Sequence, residues 1–150
     1  MVWGGISFGG HTALHVLTRG TLTAMRDRDE ILRPIVRPYA GAVGPGFLLM
    51  HDNARPHVVG VCLQFLHGGG IDFMDWPARS PDLKSLEHIW DIMSRPVQQR
   101  HVAPQTVQEL TDALIQVLEE IPQKSICHLI RSMPRHCRGY IQAHGGHTHY

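Results

Sequence analysis

Apolar and polar residues alternate at the start of the chain. Val2, Gly4, Ile6 and Phe8 fall on one side, and Trp3, Gly5 and Ser7 on the other. That two-residue period predicts a strand, and Gly9-Gly10 supplies a turn. Thr12 to Leu17 reads as a second strand closed by Arg19-Gly20, so residues 2–18 predict an antiparallel hairpin. Thr23 caps a helix expected over about residues 23–36, with Asp27 and Glu30 near its start and Pro34 and Pro38 limiting its length. The pattern changes at Gly46–Asp52. The consecutive apolar residues Phe47, Leu48, Leu49 and Met50 predict a strand over residues 46–52 buried on both faces, the habit of parallel sheets.

Asn53 to His57 turns the chain into a helix expected over residues 58–66 and ended by Gly68-Gly69-Gly70. Residues 71–74 predict a short strand, and Trp76 to Arg79 an extended connector. Ser80-Pro81-Asp82 is a strong helix start, with a capping serine, proline at the first helical position and an acid in the first turn. Leu83, Leu86, Trp90 and Met93 then recur at helical spacing over residues 82–95, until Pro96 ends or kinks the helix. Thr106-Val107-Gln108-Glu109 is a capping box for a helix over residues 106–121. A last helix is expected over residues 125–142, interrupted at Pro134, before a loose Gly- and His-rich tail. Two early strands, then strands alternating with helices, indicate an α/β fold.

Composition narrows the class. With 150 residues, 43% hydrophobic and 18% charged, the chain suits one ordinary globular domain. No apolar run approaches the ~20 residues that span a bilayer. The first residues have neither the basic nor the apolar region of a secretory leader. The three cysteines, Cys62, Cys127 and Cys137, are too few and scattered for a disulfide framework. A net charge of +1 lacks the basic excess of a protein that grips DNA unaided, so any binding to nucleic acid is expected to be weak or assisted.

Two carboxylates carry the candidate chemistry. Asp52 ends the most apolar strand, at the sheet edge where open α/β folds bind ligands. Glu87 follows Leu83 by four residues and precedes Trp90 by three, which places it beside the core-facing stripe. Thirty-four residues separate the two, enough for a helix, a strand and a turn to return the chain to the same edge. Two hard oxygen donors from separate elements suit a magnesium ion. The same residues also fit a turn-forming aspartate and a half-exposed helical glutamate. Asp72, Asp75, Asp82 and Asp91 are further candidates.

Four segments, Trp3-Gly4-Gly5, His51-Asp52-Asn53-Ala54-Arg55-Pro56-His57, Trp76 to Leu83, and Glu87-His88-Ile89-Trp90, together resemble the DDE transposases of the Tc1/mariner superfamily. Ser132-Met133-Pro134-Arg135 and the closing Gly145 to Tyr150 resemble them too, so the likeness runs the length of the chain. The resemblance implies a ribonuclease H-like fold and a metal-binding triad of two aspartates and a glutamate. Asp52 would be the second acid and Glu87 the third, the 34-residue interval being typical of one branch. It implies two Mg²⁺ or Mn²⁺ ions, which would activate water or a DNA 3′-hydroxyl and stabilise the leaving oxygen. DNA cleavage and strand transfer at transposon ends would follow, with a nuclear location and a homodimer as further expectations. Asn53, His57, Trp76 and Arg79 would support the acids or contact DNA, although Trp76 also suits simple packing at the sheet edge.

The departures from the family pattern shape the expectation. The strand bearing the first aspartate lies upstream of the Trp-Gly-Gly strand in the family, as does a helix-turn-helix reader of DNA. The sequence is therefore expected to be a catalytic domain truncated at its amino terminus, without the central first strand, and inactive alone. Lys84-Ser85 stands where the family carries Asn-Pro, and Lys84 competes with a metal for the charge of Glu87. The alternative function is a non-catalytic module that only binds nucleic acid or dimerises. Other groupings say less. Cys137, His144, His147 and His149 match no closed zinc spacing, Cys62 suits a core position, and Arg131, Arg135 and Arg138 suit a solvated face.

Overall fold

The computed structural model describes residues 1–52, 54–76 and 84–142. Asn53, Arg79, the Ser80-Pro81-Asp82 helix start and the His-rich tail lie outside the described residues. The chain divides into two compact units, residues 1–5 with 11–80 and residues 6–10 with 81–150.

The first unit begins with the expected hairpin. β1 (Val2–Trp3) runs antiparallel to β4 (His15–Val16), with Val2 opposite Val16 and Trp3 opposite His15. β2 (Ile6–Ser7) and β3 (Gly10–His11) pair nearer the turn. Thr12 ties the arms together: its N–H donates to Gly5 O at 2.8 Å, and its Oγ1 accepts from the Gly5 N–H at 2.8 Å. A Cβ on Gly5 would come within 3.3 Å of Thr12 Cγ2, so a bare glycine permits this close approach.

Thr23 caps the next helix, its Oγ1 accepting from Arg26 N–H at 3.3 Å. The helix is not the single α-helix expected over residues 23–36. α1 (Ala24–Arg26) passes into a π-helical stretch, Asp27–Val36, and then into α2 (Arg37–Val43), ending at Gly44 with φ of +84°. The wider winding, with its bonds spanning five residues, carries the chain past Pro34, which lacks an N–H. Pro38 falls in the first turn of α2, where an absent donor costs little.

β5 (Leu48–Leu49) and β6 (Asp72–Phe73) are parallel, as the sequence predicts, with Leu48 opposite Asp72 and Leu49 opposite Phe73. Burial of β5 on both faces is not observed. Leu48 and Met50 are 49% and 43% exposed, whereas Phe47 and Leu49 pack on the core. Successive side chains point to opposite faces of a strand, and only one face of this pair meets the core. The following helix comes in two pieces, α3 (Arg55–Val58) and α4 (Gly60–Gly68), broken at the extended Val59. Gly70, at φ of +63°, turns the chain into β6. Leu17, Ile31, Leu32, Val36, Cys62, Leu66 and Ile71 form the core of this unit.

The second unit packs α5 (Ser85–Gln98) against α6 (Val107–Glu120) and α7 (Gln123–Gln142). Ile89, Met93, Ala113, Val117, Leu118 and Ile126 are its buried residues. Neither internal proline breaks its helix, contrary to the expectations for Pro96 and Pro134. A proline removes one donor, and burial of a long apolar face outweighs that local loss. Thr106 caps α6 by accepting from Glu109 N–H at 3.1 Å, while Glu109 Oε2 accepts from Gln105 N–H at 2.7 Å. α7 holds the tip of the hairpin: Gln123 Nε2 donates to Ser7 O and Phe8 O, each at 3.0 Å, and the Arg131 guanidinium lies 5.9 Å above the Phe8 ring.

Candidate functional site

Asp52 stands just beyond the carboxyl end of β5, half-buried at 38% side-chain exposure. Its Oδ1 accepts from Ala54 N–H at 3.0 Å, the local bond by which an aspartate turns a strand into a helix start. The turn reading of the sequence is therefore realised, and it leaves the carboxylate at the sheet edge. His51 donates from Nδ1 to Asp52 O at 2.8 Å, which places a lone pair on Nε2. That Nε2 is buried with no hydrogen-bond partner among the described residues. Burial pushes the His51 pKa below the ordinary histidine value, outweighing its hydrogen bond to the Asp52 backbone. His51 also lies against His57 and Phe73, with ring centroids 5.5 and 5.8 Å away.

His57, in α3, joins two carboxylates. Its Nδ1 is 2.9 Å from Asp27 Oδ2, and its Nε2 is 3.6 Å from Asp52 Oδ1. Asp27 is 1% exposed, and its Oδ1 has no hydrogen-bond partner among the described residues. Cys62 Sγ lies 3.5 Å from Asp27 Oδ2, within 3.2 Å of both Ala24 O and Pro56 O. Burial first, and the Asp27 charge second, raise the Cys62 thiol pKa to about 11. Cys62 is a core residue, as its apolar helix predicts.

Sequence reasoning treated Asp27 only as a first-turn acid. The missed signal is its spacing: Asp27 precedes the buried Ile31, Leu32 and Val36 by four, five and nine residues. A charged residue continuing an apolar stripe needs a partner brought by the tertiary fold.

Glu87 lies in the first turn of α5. It is not beside the deepest part of the apolar stripe: Ile89 and Met93 are 1% and 0% exposed, whereas the Glu87 side chain is 49% exposed. The shift follows from where α6 and α7 pack. Lys84 Nζ sits 3.8 Å from Glu87 Oε1, so the competition expected between this lysine and a cation at Glu87 has a physical contact behind it. Asp52 and Glu87 belong to different units, each described by itself.

Trp76 is 5% exposed, the packing outcome, and a ring so covered has no open face for stacking on a base. Among the other acids, Asp72 and Asp75 are exposed and Asp91 pairs with Arg95, while Asp82 lies outside the described residues. No group of three or more His, Cys, Asp and Glu side chains is arranged to hold a metal among the described residues. Asp52 and Glu87 nevertheless have the hard oxygen chemistry that Mg²⁺ or Mn²⁺ takes, one or two carboxylates with water completing the shell.

The Asp52 edge and the surrounding fold have close counterparts. The chain is 34% identical over 154 residues to the Tcb2 transposase of Caenorhabditis briggsae, covering 100% of this chain and 54% of that protein. It is 30% identical, with the same coverage, to the Tc1 transposase of Caenorhabditis elegans. The structure superposes on the Mos1 transposase catalytic domain solved with Raltegravir and Mg, at a TM-score of 0.86 and 15% identity, over 98% of this chain and 76% of that one. It also superposes on the Mos1 paired-end complex with the left transposon end, at a TM-score of 0.83 and 15% identity, over 97% of this chain and 44% of that one. No protein-family model matches the chain. The fold is the ribonuclease H-like α/β fold of a transposase catalytic domain. The chain belongs to the Tc1/mariner family of transposases and spans about half the length of the curated relatives it matches.

Proposed function

We propose that this chain carries part of the catalytic centre of a cut-and-paste DNA transposase, with Asp52 and Glu87 as carboxylate ligands for divalent cations. The observation that carries the reading is the position of Asp52 at the carboxyl end of the parallel strand β5. The relatives support the substrate class, since they are transposases. Divalent ions, when bound, supply activation of an attacking oxygen and stabilisation of the leaving one. Asp52 and Glu87 would hold them, Lys84 would temper the charge of Glu87, and His57 would line the Asp52 side. DNA is the partner, a homodimer the assembly and the nucleus the location that this reading entails.

The resemblance calls for three acids, and these 150 residues supply two. The chain by itself is therefore expected to bind Mn²⁺ weakly and to leave linear DNA intact. Asp52→Asn and Glu87→Gln should each reduce Mn²⁺ binding measured by electron paramagnetic resonance, and binding indifferent to both would overturn the assignment. A second reading, a non-catalytic module, is favoured by the Lys84–Glu87 contact. The two separate when the chain is joined behind an aspartate-bearing strand. Metal-dependent strand breaks that vanish in Glu87→Gln support catalysis, and intact DNA supports the module.

A further inference from the structure

Asp27 is a carboxylate in the apolar interior, and such a group is retained at high cost unless another group answers it. The π-helical stretch brings it there, in line with Ile31 and Leu32. Two side chains meet its Oδ2: the Cys62 thiol at 3.5 Å and His57 Nδ1 at 2.9 Å. The thiol is a weak donor, and two backbone carbonyls, Ala24 O and Pro56 O, compete for its single proton at 3.2 Å. The imidazole N–H is the stronger donor, at the distance of a charge-assisted bond. A carboxylate can only accept here, so the proton lies on Nδ1 of His57.

The consequence appears at the other ring nitrogen. With Nδ1 protonated, a neutral imidazole carries a lone pair on Nε2. Nε2 faces Asp52 Oδ1 across 3.6 Å, too long for a hydrogen bond. The facing atoms are two acceptors. Such an edge is favourable toward a cation or a proton-bearing oxygen and unfavourable left to itself.

We propose that Asp27 is a positioning residue, which fixes the His57 ring through Nδ1 and turns Nε2 to the Asp52 carboxylate, making a two-acceptor edge for a divalent cation or its bound water. The inference deepens the metal-binding reading of Asp52 and rests on it for the identity of the occupant. The arrangement of Asp27 and His57 stands apart from that reading and can be measured without metal.

The test is long-range proton–nitrogen correlation of the His57 ring in the full 150-residue chain at mildly alkaline pH. The expected result is a protonated Nδ1 and an unprotonated Nε2. In Asp27→Asn, nearly identical in volume, the amide can also donate to Nδ1, so the expected result is a shift of His57 toward the Nε2–H form. Cys62→Ala should leave the His57 tautomer unchanged. A wild-type ring protonated on Nε2, whether neutral or doubly protonated, would overturn the proposal, and this needs no variant to fold. Nitrogen shifts unaltered by Asp27→Asn would overturn it too. Mn²⁺ added to the same samples should broaden the His57 ring signals, with affinity lowered on the order of tenfold in Asp27→Asn. Broadening near Asp52 that is equal in the two proteins overturns the positioning role. No broadening in the wild type overturns the metal reading, while the nitrogen shifts still decide the role of Asp27.

Discussion

Lys84 Nζ lies 3.8 Å from Glu87 Oε1, three residues away at the start of α5. The lysine side chain is 17% exposed and the glutamate 49%, so solvent screens the pair from one side. A pair of this kind contributes up to about 1 kcal/mol. Lys84→Ala should therefore strengthen Mn²⁺ binding at Glu87 by about twofold to fivefold, since 1.4 kcal/mol corresponds to tenfold. A titration followed by electron paramagnetic resonance, repeated in high salt, checks it. The gain should shrink as salt rises, and an unchanged or weaker affinity would show that the lysine does not compete.

Cys62 should be the last thiol to react. It is fully buried and its pKa is about 11, whereas Cys127 and Cys137 are half-buried. A disulfide reagent near neutral pH should modify two thiols quickly and the third only on unfolding, because the thiolate is the reactive form. Three equally fast thiols in the folded protein would contradict the packing of α4.

The Thr106 cap should be worth about 1 kcal/mol to α6. Thr106→Ala removes the acceptor for Glu109 N–H. The measurement is a urea titration of the helical signal, with a lower midpoint expected at an unchanged slope. Thr106→Ser, which keeps the hydroxyl, should recover most of the loss.

His51 makes stability depend on pH. Its folded pKa lies below the ordinary histidine value, chiefly through burial, so the unfolded chain takes up the proton first as pH falls. Stability that is complete above the usual ~6.5 is then lost progressively as pH drops toward the lowered folded value. The carboxylates of Asp29 and Glu30 are also lowered, by hydrogen bonds from Arg28 and Arg26, and their contribution is lost only in more acidic solution. Denaturation midpoints compared at pH ~7.5 and ~5.5 therefore isolate the histidine range. The drop should be smaller in His51→Gln than in the wild type.

Much of this architecture is written in short stretches of sequence. Thr23 and Thr106 cap helices because an oxygen on the side chain reaches an N–H three residues ahead. The hairpin follows from alternation around Gly9-Gly10, and the parallel pairing of β5 with β6 from the apolar run and the helix between them. Asp52 could be singled out because strand ends in such sheets carry the chemistry. Each of these depends on neighbours a few residues away.

Other features depend on residues that only the folded chain brings together. Pro34 and Pro134 look like helix ends in sequence, yet both lie inside helices, because packing of an apolar face can outweigh a missing donor. Leu48 looks buried and is exposed, because a strand is covered on as many faces as helices reach it. Glu87 moved to the exposed side once α6 and α7 had chosen the face of α5 they bury. Asp27 is the strongest case. Its partners His57 and Cys62 are 30 and 35 residues away, and its meaning changes from first-turn acid to buried anchor. Periodicity and capping are set by bonds along one element, so the sequence determines them. Burial and the choice of partner for a charge are set by which elements meet, and that was decided by the tertiary structure.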